Sequence, residues 1–381
     1  MTVPNNDDFS SFPIETQNHA EWDATECRPH GSVPEGEFRE SVAHNHSHSI
    51  NNMTMVEIDL LDAEDAIQRD ETGVHLYELV TSVLNDCATA DRYFATSKSK
   101  RFSCCCCSKD TETHHGEKCL TNQLRTHVNC CIRVADKYLR LLSVLIKSRE
   151  FHLAYPTAHE SDEDLPVIII PKSREGKPFI PTPTGQRSDY EFSVSHQYPY
   201  VGIARCRGVE VGLDIVTFDE INCKLYSDEQ EFVSVFRSSF SESEWDSIAS
   251  STTVLNDFYM RWAMKEAYTK ALGLGMSLEF NSFVTTLAGV DNLWDYVSVN
   301  ADPVKGIVLP GFVQHGGEQS PERWLFFFLL IKSKGRVTAC ACVCIPDDDG
   351  ANSLTVESKW MKIDELLTWH RYAKGGLKIQ H

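Results

Sequence analysis

The chain has 381 residues, 41% of them hydrophobic, with a formal net charge of −19: enough apolar material for two or three domains' worth of folded core. That acidic balance argues against a protein that wraps a nucleic-acid backbone, and no run of about eighteen apolar residues reads as a membrane helix. The opening MTVPNNDDFSSF has neither the basic nor the apolar region of a signal peptide, so the 14 cysteines read as reduced thiols of a soluble, cytoplasmic protein rather than a disulfide scaffold.

Residues 1–52 are polar, acidic and without period, which predicts a disordered tail in which His44, His46 and His48 are solvated. From Met55 the sequence VEIDLL predicts a strand, and Leu76, Leu79, Val80, Val83 and Leu84 place a helix over 75–87. A Cys-rich insert, residues 103–118, interrupts the pattern. Its adjacent Cys104 to Cys107, with His114, His115 and Cys119, lack the paired ligand spacing of a structural zinc site; a Cys/His interaction module is the reading they would otherwise support. The spacing of Val134, Tyr138, Leu141, Leu142 and Leu145 predicts one long helix over 120–148, and Val167 to Ile170 a short buried strand ended by Pro171.

Strand signals dominate beyond Pro171. EFSVSHQ (191–197) reads as a strand, and YVGIARC and VEVGLDIV read as a hairpin turning at Arg207-Gly208, with Asp214 on the face opposite Val211, Leu213 and Ile215. Ser195 and His196 are strand neighbours, so they project to opposite faces and cannot form a hydrolase dyad. WLFFFLLI (324–331) and VTACACVCI (337–345), joined at Lys334-Gly335, read as an antiparallel pair whose Cys340, Cys342 and Cys344 pack as hydrophobes. Between the two sets of strands, FYMRWAMKEAYTKALGLGM (258–276) predicts a helix ending at Gly273, with Trp262, Glu266 and Lys270 stacked on one face. Taken alone, Glu266 and Lys270 are an exposed pair stabilising the helix by about 0.3–0.5 kcal/mol. Gly176-Lys177-Pro178 is a tight turn with a cation suited to phosphate; alone it is an ordinary loop.

GKP, then SVSHQ, then VGLDI, then F-Y-x-x-W-x-x-K-E-x-x-x-K-x-x-G-x-G stand in one order, and together they resemble the 4′-phosphopantetheinyl transferases of the larger, two-lobed type. The resemblance covers residues 172–284 well and the first half only weakly. It implies an α+β fold of two pseudo-symmetric lobes: a tail over 1–52, an N-terminal lobe over 53–197 carrying the insert 103–118, a C-terminal lobe over 198–370, and a tail over 371–381. It also implies transfer of the phosphopantetheine arm of coenzyme A to a serine of an apo acyl or peptidyl carrier protein, by a monomer, with Mg²⁺ as cofactor and neither nucleic acid nor membrane as partner.

Carried onto this sequence, the resemblance places Gly176, Lys177 and Pro178 at the adenosine end of coenzyme A and Ser195 and His196 near its 3′-phosphate. Lys98 and Lys172 are further phosphate-binding candidates. Asp214 and Glu266 match the acidic Mg²⁺ ligands, and Lys270 the lysine beside the diphosphate. Hard carboxylate donors suit Mg²⁺, a cation beside lysines stabilises the departing 3′,5′-ADP, and a carboxylate can take the serine proton, for which Glu266 is the candidate. One departure stands out: Val216 occupies the position where many bacterial members carry a second strand carboxylate. Members resembling the animal enzyme also lack it and carry S-H-Q, so Gln197 or a water is the expected substitute. The loss leaves open a coenzyme A-binding protein with weak or no transferase activity.

Overall fold

The computed structural model describes residues 54–84, 87–90, 93, 120–155, 166–219, 221, 225–316, 320–347 and 354–372. The expected tails, the Cys-rich insert and Lys98 lie outside these, apart from the first two residues of 371–381.

Two sheets pack face to face, each covered on its outer side by a long helix, and this is the two-lobed α+β architecture the resemblance implies. In the first sheet, β1 (Thr54–Asp62) lies between β5 (Tyr200–Arg207), which it meets antiparallel, and β11 (Leu354–Trp360), which it meets parallel; β4 (Tyr190–Gln197) closes the other edge against β5. The second sheet is antiparallel throughout, in the order β6 (Gly212–Thr217), β10 (Arg336–Pro346), β9 (Glu322–Ser333), β8 (Ile307–His315), β7 (Phe283–Leu287). A separate parallel pair joins β2 (Cys87–Thr89) to β3 (Val167–Ile169).

Alternation along the strands builds the layers. Val56, Ile58 and Leu60 of β1 and Val211, Leu213 and Ile215 on and beside β6 face inward and form the core between the sheets with Phe327, Ala341 and Val343. The opposite faces receive the helices. Leu141, Leu142, Leu145 and Phe151 of α4 (Val134–Ala154) pack over the first sheet, and Phe258, Ala263, Ala267 and Ala271 of α7 (Val254–Leu272) over the second. Each fully buried Leu, Ile, Val or Phe contributes roughly 1.5–3 kcal/mol of transfer free energy, so burial of these faces favours this arrangement. Cys340, Cys342 and Cys344 are fully buried on the β10 face against α7 and act as small apolar side chains, as expected; burial pushes their thiols up.

Three expectations are corrected. First, β5 and β6 are not a hairpin. Both edges of β5 are already occupied, by β1 and by β4, so the chain turns at Gly208 (φ 71°) and crosses to the second sheet, where β6 pairs with β10. The strand that would begin the C-terminal lobe at 198 therefore belongs to the first sheet, as does β11. Second, the long helix is two, α3 (Leu120–Asn129) and α4, broken over residues 130–133, where Cys130, Cys131 and Ile132 are weaker helix formers. Third, α7 starts at Val254, four residues before its predicted start, and reaches Gly273 in the left-handed conformation (φ 77°), the expected terminator.

The C-terminal helix α9 (Ile363–Tyr372) returns to the first lobe, burying Leu366 and Leu367 there, and the His370 Nε2 proton is donated to the Leu145 carbonyl at 2.8 Å. Burial lowers the His370 imidazole to about 4, so the native state binds its proton less readily than the unfolded chain. The contribution of neutral His370 is complete above pH ~6.5, the unfolded value, and is lost as pH falls from there towards 4. Hydrogen exchange of residues 363–370 is expected to accelerate between pH 7 and 5 after correction for intrinsic rates, and His370→Leu should flatten that dependence.

Candidate active site

The site forms where the free edges of the two sheets meet. β4 and β6 share no backbone ladder; instead the Ser193 and Ser195 hydroxyls accept the amides of Leu213 (3.0 Å) and Ile215 (3.2 Å), and Gln197 Nε2 donates to Thr217 Oγ1 at 2.9 Å. Side chains two residues apart on one strand thus satisfy the buried edge of the other. Asp214 projects from this seam toward α7, with its register partner Cys342 in the dry layer behind it.

There the predicted residues converge. Lys270 Nζ donates to Asp214 Oδ1 at 2.6 Å and to Ser195 Oγ at 3.2 Å, and Glu266 Oε2 lies 3.9 Å from the same ammonium. Ser195 Oγ also donates to Asp214 Oδ1 at 2.9 Å, so its one proton and both lone pairs are committed. Burial holds the Glu266 carboxyl above the usual carboxylate range, with Lys270 opposing and the like charge of Asp214 reinforcing the shift. Lys270 is raised: burial disfavours its charge, but Asp214 and Glu266 outweigh that. Two carboxylates sharing one ammonium are an electrostatic arrangement that a divalent ion and a diphosphate can exchange into. The donor set fits a hard cation, provided the diphosphate and water supply further oxygens, because among the described residues no three His, Cys, Asp or Glu side chains converge on one point.

Two of the expected site residues have protein partners of their own. The Gln197 amide nitrogen donates to Thr217, which in turn donates to Asp219 Oδ2 at 2.7 Å, and it is Ser195 that hydrogen-bonds Asp214. The reason is register: Ser195, two residues earlier on the same strand face, is the one that meets Asp214. Lys177, expected to present a cation to phosphate, is buried with its ammonium 2.7 Å from the Ala271 carbonyl and 3.4 Å from that of Val211. The turn around it stays open: Gly176 has φ 99° with no atom near a would-be Cβ, so a ligand can approach the backbone. Pro178 pairs with Lys172 across it.

His196 faces the first lobe, with Nδ1 3.4 Å from Ser143 Oγ on α4; the two neighbours Ser195 and His196 therefore lie in different surroundings, as strand alternation demands. Arg140 and Lys147 lie within about one helical turn of Ser143, before and after it, and burial, with the like charge of Lys172, lowers Lys147 to about 8. Burial, Arg140, Lys147 and Lys172 hold His127 at about 4. Lys172 was a candidate from the sequence; Arg140 and Lys147, which flank the Ser143 that meets His196, were missed there, signalled only by the polar interruptions at 140, 143 and 147 in an apolar helix. Val216 is buried in the aromatic layer around α7.

Residues 210–294, which carry Asp214, Glu266 and Lys270, match the model of the 4′-phosphopantetheinyl transferase superfamily. Particular relatives sharpen it. The chain is similar to the L-aminoadipate-semialdehyde dehydrogenase-phosphopantetheinyl transferase of Xenopus laevis, 36% identical over 115 residues, covering 29% of this chain and 36% of the relative. Its similarity to the protein of that name from Schizosaccharomyces pombe is 27% over 189 residues, 46% of this chain and 68% of the relative. With the 4′-phosphopantetheinyl transferase gsp of Aneurinibacillus migulanus it is 26% identical over 155 residues, 40% of this chain and 55% of the relative. The chain spans little more than a third of the length of the animal relatives it matches. The resemblance to the two-lobed transferases read from the motifs is borne out.

Proposed function

We propose that this chain transfers 4′-phosphopantetheine from coenzyme A to a serine of an apo acyl or peptidyl carrier protein, giving the holo carrier and 3′,5′-ADP. The observation that carries this reading is the convergence of Asp214, Glu266 and Lys270, from two separate elements, on one ammonium-sized point. Asp214 and Glu266 would hold Mg²⁺, which when bound neutralises diphosphate charge and polarises the phosphorus under attack.

The chain's own residues account for the rest. The serine oxygen forms a bond to the phosphorus of the pantetheine phosphate as the diphosphate P–O bond breaks, and the electron pair leaves on 3′,5′-ADP. Glu266, with its raised proton affinity, accepts the serine proton. Lys270 follows the charge onto the departing 5′-phosphate of 3′,5′-ADP, released from Asp214 as the substrate enters. Ser195 keeps Asp214 oriented, and the open turn at Gly176 receives the adenosine by its backbone. Arg140, Lys147 and Lys172 supply the cations for the 3′-phosphate and the His196 ring a hydrogen bond, and an anion held there would raise Lys147 from about 8. The protein acts as a cytoplasmic monomer in this reading.

Mixing the protein with coenzyme A, Mg²⁺ and an apo carrier is expected to add the mass of the arm to the carrier, and Asp214→Asn should abolish that gain. An unmodified carrier beside a protein that binds coenzyme A would instead identify a coenzyme A-binding protein.

A further inference from the structure

Lys177, the lysine of the Gly176-Lys177-Pro178 turn, meets the end of α7. The last carbonyls of a helix have no partners within it. At the end of α7 the Gly273 amide goes to Lys270 O at 3.1 Å and the Leu274 amide to Thr269 O at 2.9 Å, while Ala271 O accepts from Lys177 Nζ at 2.7 Å. A cation from a turn 94 residues away thus caps the negative end of the helix that carries Glu266 and Lys270. The same ammonium approaches Val211 O at 3.4 Å, three residues before Asp214, and Glu191 Oε2 at 3.5 Å on β4. Its stem lies against Gly273, where an added Cβ would meet the Lys177 Cβ and Cδ at 3.1 Å. The turn is closed on Lys177 by its own backbone: the Ser173 amide is donated to Lys177 O at 2.8 Å, and the Lys177 amide to Ser173 Oγ at 3.2 Å.

We infer that Lys177 is a positioning residue that couples the nucleotide-receiving turn to the carboxylate site, so that coenzyme A and Mg²⁺ strengthen each other's binding through its ammonium. The inference rests on the proposed transferase reading for the identity of the two ligands. Turn, β6 and α7 meet at one buried donor, and a shift of any of them changes its distances to the other two. Coupling of this kind is reciprocal and typically amounts to about 5–150-fold in affinity.

The test is a binding cycle on the full chain: coenzyme A affinity by calorimetry with and without Mg²⁺, for wild type and Lys177→Met, which keeps the stem and removes the charge. Wild type is expected to bind coenzyme A at least ~10-fold tighter with Mg²⁺, and the variant to lose most of that gain while its Mg²⁺-free affinity moves less than ~3-fold. At saturating coenzyme A and a fixed Mg²⁺ concentration, kcat should fall with little change in KM for the carrier, and Lys177→Arg, which retains donors, should recover part of the coupling. A lower melting temperature with the Mg²⁺ gain and kcat left as in wild type would overturn the inference and leave Lys177 as fold support only. Should Lys177→Met not fold, Glu191→Gln, which loosens the ammonium from one side, is read in the same cycle, and an unchanged gain there would overturn it as well. Wild type that shows the cycle but modifies no carrier removes the transferase reading instead, so the two failures are separable.

Discussion

Glu266→Gln is expected to lower transfer by about 10²–10⁴-fold, the range usual for loss of a general base, with the melting temperature close to wild type because the side chain keeps its shape and one oxygen. The surroundings of Glu266 are the reason. Burial and Asp214 lift its carboxyl to about 7, so below that pH the metal-free site carries a proton on Glu266 and cannot accept one from serine. Transfer by wild type should therefore rise as pH climbs toward neutrality. A divalent cation between the acids offsets their repulsion, so the acid limb should move to lower pH as Mg²⁺ is raised. Glu266→Gln should show no such limb. Stopped assays of carrier modification across pH 5–8 at two Mg²⁺ concentrations read both effects; a loss below about tenfold would assign proton transfer to another group.

How far the sequence carried differs by element. Asp214, Glu266 and Lys270 were legible because spacing suffices: i and i+4 on a helix fix Glu266 beside Lys270, and strand alternation fixes the face of Asp214. The β5–β6 connection was not, because two adjacent strand signals with a turn between them read alike whether the strands pair or part; what separates them is that β1, from the distant start of the lobe, occupies the edge β6 would need. Gln197 was assigned by chemical type, yet a register two residues away decides its partner, and register is set by the Ser193 and Ser195 contacts across the seam. Lys177 illustrates the same limit. A lysine after glycine in an open turn is equally a phosphate ligand or a helix cap, and only the position of Ala271 O distinguishes them.

Gly212 is where the largest change in stability is expected. β6 lies so close to α7 that a Cβ at this position would stand 1.8 Å from Ala267 O and 2.6 Å from the Ala271 amide nitrogen. Both contacts are to backbone, so no rotamer relieves them and the strand must lift from the helix. Over-packed cores cost about 1–3 kcal/mol, and a clash with a helix backbone belongs at or above the upper end. The small residues Ala267 and Ala271 directly follow Glu266 and Lys270, so the face that lets the strand in is adjacent to the face that carries the chemistry. Gly212→Ala should therefore lower the denaturant midpoint and, in the molecules that remain folded, carry Asp214 away from Lys270, so that transfer falls further than the folded fraction does. Ala267→Gly should not rescue it, because the atom in the way is the carbonyl oxygen and not the methyl group. Full transfer and an unchanged midpoint in Gly212→Ala would mean that something other than this strand–helix contact brings the two carboxylates together.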